Sequence, residues 1–159
     1  MKDYLYTIAL LVILCTTNLL YSAETFFMAD SVESKLISTQ EIDEAAETLR
    51  GIATHTPIQE NILLSDEIGA NVWLKREDLQ VVRSYKIRGA YNKIQSLTDK
   101  ELEHGVVCAS AGNHAQGVAL ACYKKKIHGT IFMPNTTPAQ KVNQVKMFGK
   151  NYVEVVLEG

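Results

Sequence analysis

Residues Val106-Val107-Cys108-Ala109-Ser110-Ala111-Gly112-Asn113-His114-Ala115-Gln116-Gly117 decide how this chain is read. Val106 to Ala109 is a short apolar run of the kind a buried strand requires. Ser110 to Gly112 carries only small side chains, and Gly112 permits a tight turn. A helix is predicted from about Gly112 to Tyr123. It ends in Lys124-Lys125-Lys126, where cations suit the partial negative charge of the last carbonyls. Strand, glycine turn and helix in that order make up half of a strand–helix–strand unit. The helix N-terminus offers free N–H groups to a carboxylate or phosphate at the carboxyl edge of a sheet, where α/β proteins bind ligands.

The alternation continues outward in both directions. Gly129 to Met133 reads as a strand. Thr137 is positioned to cap, and Pro138 to open, a helix through Phe148 with Val142, Val145 and Phe148 inward. Tyr152 to Leu157 is a further strand. On the N-terminal side, Ser84 is a candidate cap for a helix in which Ile87, Ala90, Tyr91 and Ile94 share a face. Asn71 to Lys75 reads as a strand that runs into Arg76-Glu77-Asp78, and a charged cluster after a strand is ordinarily a solvated edge. Ile62 to Ile68 is a short helix stopped by Gly69, and 54–57 is a loop. Ser38 followed by Glu41 is a capping-box pattern ahead of a helix with Ile42, Ala45, Ala46 and Leu49 on one face, ended by Gly51. The whole predicts an α/β protein of parallel sheets with helices on both faces.

Composition agrees with a globular fold and excludes some functions. Of 159 residues, 47% are hydrophobic and 21% charged, and the formal net charge of -2 gives no basic surface for nucleic acid. Cys15, Cys108 and Cys122 are an odd, scattered set, which argues against a disulfide framework and against a metal site. Cys108 and Cys122 are expected to be small buried side chains of a reduced, cytoplasmic protein. The first segment points elsewhere. Residues 4–23 carry no charge and are long enough to span a bilayer or serve as an export signal. Asp3 cancels Lys2, however, and Tyr21-Ser22-Ala23 puts a bulky Tyr where a cleavage site needs a small residue. Residues 1–27 are therefore read as an apolar leader preceding a true start at Met28, with a membrane or export segment as the alternative. Residues 28–159 are read as the N-terminal part of a catalytic domain that breaks off after the last strand.

Ser84-Tyr85-Lys86-Ile87-Arg88-Gly89-Ala90 places Lys86 in the first turn of a helix. That is the wrong end for a cation, because the free N–H groups there are already positive. The placement suits a nucleophile, since the neutral amine is the form that attacks an aldehyde. An arbitrary lysine at such a position would more often simply reach into water. His114 is open to either a capping role or proton transfer.

Leu74-Lys75-Arg76-Glu77-Asp78-Leu79-Gln80, then Ser84 to Asn92, then Ser110 to Ala119, then Met133 to Gly149 together resemble the fold-type II pyridoxal-phosphate enzymes: threonine and serine dehydratases, serine racemase and their relatives. This fold is the tryptophan synthase β-like one, here incomplete. The resemblance runs from about residue 38 to Gly159. Gln80-Val81-Val82-Arg83 and the strings at 145–149 and 152–155 resemble the biosynthetic threonine dehydratase branch. The resemblance implies pyridoxal 5'-phosphate as cofactor, held covalently by Lys86, which also moves protons at the substrate. It implies that Asn113 hydrogen-bonds the cofactor's ring hydroxyl and that Ser110, Ala111, Gly112, Asn113 and His114 receive the substrate carboxylate. Tyr85 stands where many members have Phe. The family's glycine run around the cofactor phosphate and its contact to the pyridine nitrogen are not found in the chain.

The implied reaction is β-elimination of water from L-threonine, giving 2-oxobutanoate and ammonia, the first step of isoleucine biosynthesis. L-serine would give pyruvate by the same route. A serine dehydratase or racemase of the same fold, or an inactive gene fragment, are the alternatives. A homo-oligomer is expected of the full-length protein, and the 159 residues alone are expected to be inactive.

Overall fold

The computed structural model describes residues 36–159, and its main compact unit is Thr39–Gly159. The apolar leader and the proposed start at Met28 lie outside the described residues. Helix α1 (Thr39–Thr48) begins one residue after Ser38, as the capping pattern predicts. Its inward face differs from the expected one. Ala45, Thr48 and Leu49 are half-buried, whereas Ile42 is 57% exposed.

Strand β1 (Ile58–Glu60) was not visible in the sequence, because three residues carry too little pattern to distinguish a strand from a loop. Helix α2 (Ile62–Ile68) follows, capped by the Asn61 side chain on the Leu64 N–H and closed by Gly69 in the left-handed region. Strand β2 (Trp73–Lys75) then pairs antiparallel with β1, Ile58 opposite Lys75. The expected strand at 71–75 therefore exists but is shorter, and it belongs to this ribbon and not to the parallel sheet. A single 3-10 turn (Glu77–Leu79) leads on to α3 (Lys86–Gln95). A short helix α4 (Asp99–Leu102), also unpredicted, is opened by a capping box between Thr98 and Glu101.

The parallel sheet, among the described residues, has the order β3 (Val106–Ala109), β4 (Gly129–Met133), β5 (Val153–Leu157). Helix α5 (Asn113–Lys125) connects β3 to β4, and α6 (Ala139–Gly149) connects β4 to β5. Register places Cys108 beside Ile131 and Ile131 beside Val155. Side chains alternate across a strand, so these three share a face with Val106, Met133 and Val153. That face packs onto Ala90 and Ile94 of α3, Ala115, Val118, Ala119, Ala121 and Cys122 of α5, and Val142 and Val145 of α6. Each large apolar side chain removed from water here contributes about 1.5–3 kcal/mol. The opposite face carries Val107, which is 70% exposed.

Two expected caps are corrected. Helix α6 starts at Ala139 with Pro138 in the cap position and no side-chain cap, and the Thr137 hydroxyl is buried without a partner. Helix α3 has Tyr85, not Ser84, in the cap position; the buried Ser84 accepts only a long 3.4 Å hydrogen bond from the Lys86 N–H. Of the two cysteines described, both free, Cys122 is buried and Cys108 half-buried.

Candidate functional site

The predicted site residues lie at the start of helix α3 and at the start of helix α5 with the loop before it, and the two helices pack against each other. Lys86 is the first residue of α3, reached through Arg83, whose φ of 60 is in the left-handed region that non-glycine residues rarely occupy. The turn is tied by the Arg83 N–H donating to the Gln80 carbonyl at 2.8 Å. Lys86 Nζ lies 4.8 Å from the centre of the exposed Tyr85 ring. Among the described residues no carboxylate pairs with it.

Glycine 117 sets the distance between the two helices. A Cβ at this buried position would lie 3.0 Å from both the carbonyl carbon and oxygen of Lys86 and 3.2 Å from the Ile87 nitrogen. Only the missing side chain lets α5 approach the backbone of Lys86 so closely. Asn113 is one turn before Gly117, on the same side of α5 and about 6 Å along the axis by helical rise. The loop Ser110-Ala111-Gly112 leaves β3 at the carboxyl edge of the sheet. The Gly112 N–H donates to Ser110 Oγ at 3.3 Å, which holds the turn. The first N–H groups of α5, from Asn113 to Ala115, have no carbonyl behind them and point toward this edge.

The predicted set divides within the site. Asn113 and His114 are exposed, and Ser110, Ala111 and Gly112 are half-buried. Ser110 lines an open hollow of about 310 Å³ with Ala109, Phe132, Met133, Pro134 and Glu158. His114 instead lines an apolar groove of about 330 Å³ with Gly89, Ala90, Val107 and Cys108.

The charged cluster read as a solvated edge is something else. Glu77 is only 15% exposed and receives both Nε and Nη2 of Arg88, each at 2.8 Å. Thr56, fully buried, donates to the same carboxylate at 2.5 Å. These bonds, led by the Arg88 guanidinium, hold the Glu77 carboxyl down at about 2. Gln80, 2% exposed, closes the group: its side chain accepts from the Thr54 N–H at 2.9 Å and donates to the Thr54 carbonyl at 2.8 Å. Glu77 and Arg88 are eleven residues apart on different elements, and no periodicity announces such a pair. Burial drives the thiol of Cys122 up to about 12, so it behaves as core.

The family model described as pyridoxal-phosphate dependent enzyme matches residues 49–159, which include Lys86, Asn113 and every strand. The chain belongs to the pyridoxal-phosphate dependent enzyme family. It is 59% identical over 123 residues to the biosynthetic L-threonine dehydratase IlvA of Halalkalibacterium halodurans, covering 77% of this chain and 30% of that protein. It is 54% identical over 127 residues to the Bacillus subtilis protein of the same name, covering 80% and 30%. The chain thus spans about 30% of the length of these curated relatives. Among solved structures, the processed form of threonine deaminase isoform 2 from Solanum lycopersicum is similar with a TM-score of 0.64 at 41% identity, over 77% of this chain and 34% of that one. Maize serine racemase is similar with a TM-score of 0.67 at 34% identity, over 73% and 34%.

The residues present fit the cofactor of this family. Among the described residues, Lys86 supplies an amine that pairs with no carboxylate. The close approach at Gly117 packs the backbone of Lys86 against α5, whose leading N–H groups are open. Among the described residues no helix is long and apolar enough to cross a membrane.

Proposed function

We propose that this chain is part of a threonine ammonia-lyase that deaminates L-threonine to 2-oxobutanoate and ammonia, the first step of isoleucine biosynthesis. The observation that carries the reading is the contact of Gly117 with the Lys86 backbone, which packs the start of α3 against α5, the helix that follows the Ser110–Gly112 loop. The names of the relatives at 54–59% identity support threonine as the substrate. We assign the protein to the cytoplasm and its full-length form to a homo-oligomer.

In this reading Lys86 binds the cofactor covalently, and Asn113 hydrogen-bonds its ring hydroxyl. The loop from Ser110 to His114 receives the substrate carboxylate, through the Ser110 hydroxyl and the open N–H groups of Asn113 and His114, which orients Cα toward Lys86. The Lys86 Nζ, freed once the substrate amine takes its place on the cofactor, takes the proton from Cα. The bound pyridoxal ring supplies the sink for the electron pair left on that carbon. Departure of the β-hydroxyl then gives the enamine that hydrolyses to product.

The test mixes the full-length protein with pyridoxal phosphate, reduces with borohydride and maps the modified lysine by mass spectrometry. In parallel, 2-oxobutanoate from threonine is compared with pyruvate and D-serine from L-serine. A single adduct at Lys86 with threonine preferred is expected. An adduct at any other lysine overturns the site, and preference for serine turns the reading to a serine dehydratase or racemase.

A further inference from the structure

Helix α3 carries two cations in its first turn, Lys86 and Arg88, at the end where backbone N–H groups already concentrate positive charge. The structure treats the two differently. Arg88 is matched by a carboxylate that meets its fork with both oxygens, while Lys86 has none. The carboxylate's other contacts run away from the helix. Thr56 donates to Glu77, Arg88 also reaches the Thr54 carbonyl at 3.3 Å, and Gln80 clasps Thr54 from the far side. Three separate pieces of chain meet at one buried charge: the loop at 54–56, the 3-10 turn at 77–79 and the first turn of α3.

The same group controls the approach to Lys86. Gln80 begins the turn whose last residue, Arg83, sits in the left-handed region, and Ser84, Tyr85 and Lys86 follow directly. Strain at such a point persists only where surrounding contacts enforce it. Gln80 is held by Thr54, and Glu77 is held by Thr56 and Arg88, so both ends of the segment 77–88 are anchored to the same loop.

We propose that Glu77 and Arg88 are positioning residues for Lys86: their two-pronged ion pair, locked by Thr56 and Gln80, clamps the turn that presents the amine. This rests on the reading of Lys86 as the residue that binds the cofactor. The clamp acts through geometry, so it should govern the covalent step at Lys86 more than the initial affinity for the cofactor. Glu77 stays ionised at any ordinary working pH, since its carboxyl is held at about 2 by Arg88 and its other donors.

The experiment compares the parent protein with Glu77→Gln, Arg88→Lys and the double variant. Arg76→Gln serves as control; its ion pair with Asp78 lies in the same loop and does not touch α3. For each, fluorescence quenching gives the affinity for pyridoxal phosphate at short times. Borohydride trapping then gives the rate at which Lys86 becomes modified, and circular dichroism establishes folding. A misplacement near 1 Å costs up to about a hundredfold, so trapping in Glu77→Gln should slow by about tenfold or more with initial affinity changed far less. Arg88→Lys keeps the charge but cannot bridge both oxygens, so it should also slow, and the double variant should be no worse than the worse single one. The control should match the parent. If Glu77→Gln does not fold, Arg88→Lys carries the test alone. Folded Arg88→Lys that traps at the parental rate would overturn the proposal. A parent that forms no adduct at Lys86 would sink the proposed function as well, whereas a modified parent with unaffected variants sinks the clamp alone.

Discussion

Replacing Gly117 by alanine tests the contact on which the site depends. The added Cβ would stand 3.0 Å from the carbonyl carbon and oxygen of Lys86 and 3.2 Å from the nitrogen of Ile87. All three are backbone atoms, so no side chain can swing away; the first turn of α3 must shift by a few tenths of an ångström. Overfilling a packed site costs about 1–3 kcal/mol. Alanine offsets part of this, because it is favoured over glycine inside a helix by about 0.5–1 kcal/mol. The net destabilisation should therefore be at most about 2.5 kcal/mol, a fall of several degrees in melting temperature for a domain this size. The effect on Lys86 should be larger than the effect on stability, because the displaced atoms are its own backbone. Trapping of pyridoxal phosphate at Lys86 by borohydride should slow by about tenfold or more while the protein stays folded. A variant that melts higher than the parent and is modified at Lys86 equally fast would refute the reasoning. It would mean that the helices are not in contact at Gly117 and that the site is held in some other way.

Lys86→Ala should leave no lysine that forms a borohydride-reducible adduct. Lys75 already donates to the Thr56 carbonyl, and Lys93 is two turns along α3, about 10 Å by helical rise; peptide mapping that finds an adduct at either would count against the assignment. Asn113→Ala should melt like the parent, since its side chain is exposed, yet shift the pH titration of the bound cofactor's visible absorbance. A hydrogen bond to a charged group is worth about 1.5–3 kcal/mol, enough to displace that titration by a unit or more. For acid stability, Glu77 has its folded value lowered from 4.5 to about 2, so its contribution is complete above the unfolded value and is lost as pH falls from about 4.5 toward 2. Urea midpoints measured across that window should fall in the parent and fall less steeply in Glu77→Gln; parallel curves would show that the ion pair contributes nothing.

Much of the chain's local structure could be read without coordinates. Val106–Ala109 and Gly129–Met133 are strands at the predicted bounds, and Ile62–Ile68 is a helix at its predicted bounds with Gly69 closing it. Each is governed by neighbours in sequence: apolar runs of strand length, a left-handed glycine, cations at a helix end. Lys86 in the first turn of its helix was legible for the same reason. The Ser110–Gly112 turn was legible because small residues after a buried run leave few alternatives.

What tertiary structure decided was pairing. Trp73–Lys75 has the same apolar character as the parallel strands, yet it lies antiparallel to Ile58–Glu60, because strand partners are chosen by the path of the chain and not by the strand's own residues. Thr137 looks like a cap, but the helix starts two residues later and leaves its hydroxyl buried without a partner. Glu77 reads as a solvated charge until α3 brings Arg88 onto it and the loop at 56 covers it. Gly117 reads as an ordinary glycine in a motif until its missing Cβ is seen to lie against Lys86. Local propensities depend on residues within a few positions and survive in the sequence as pattern. An ion pair across eleven residues and a backbone contact across thirty-one depend on how whole helices pack, and only the folded chain brings those atoms within reach of each other.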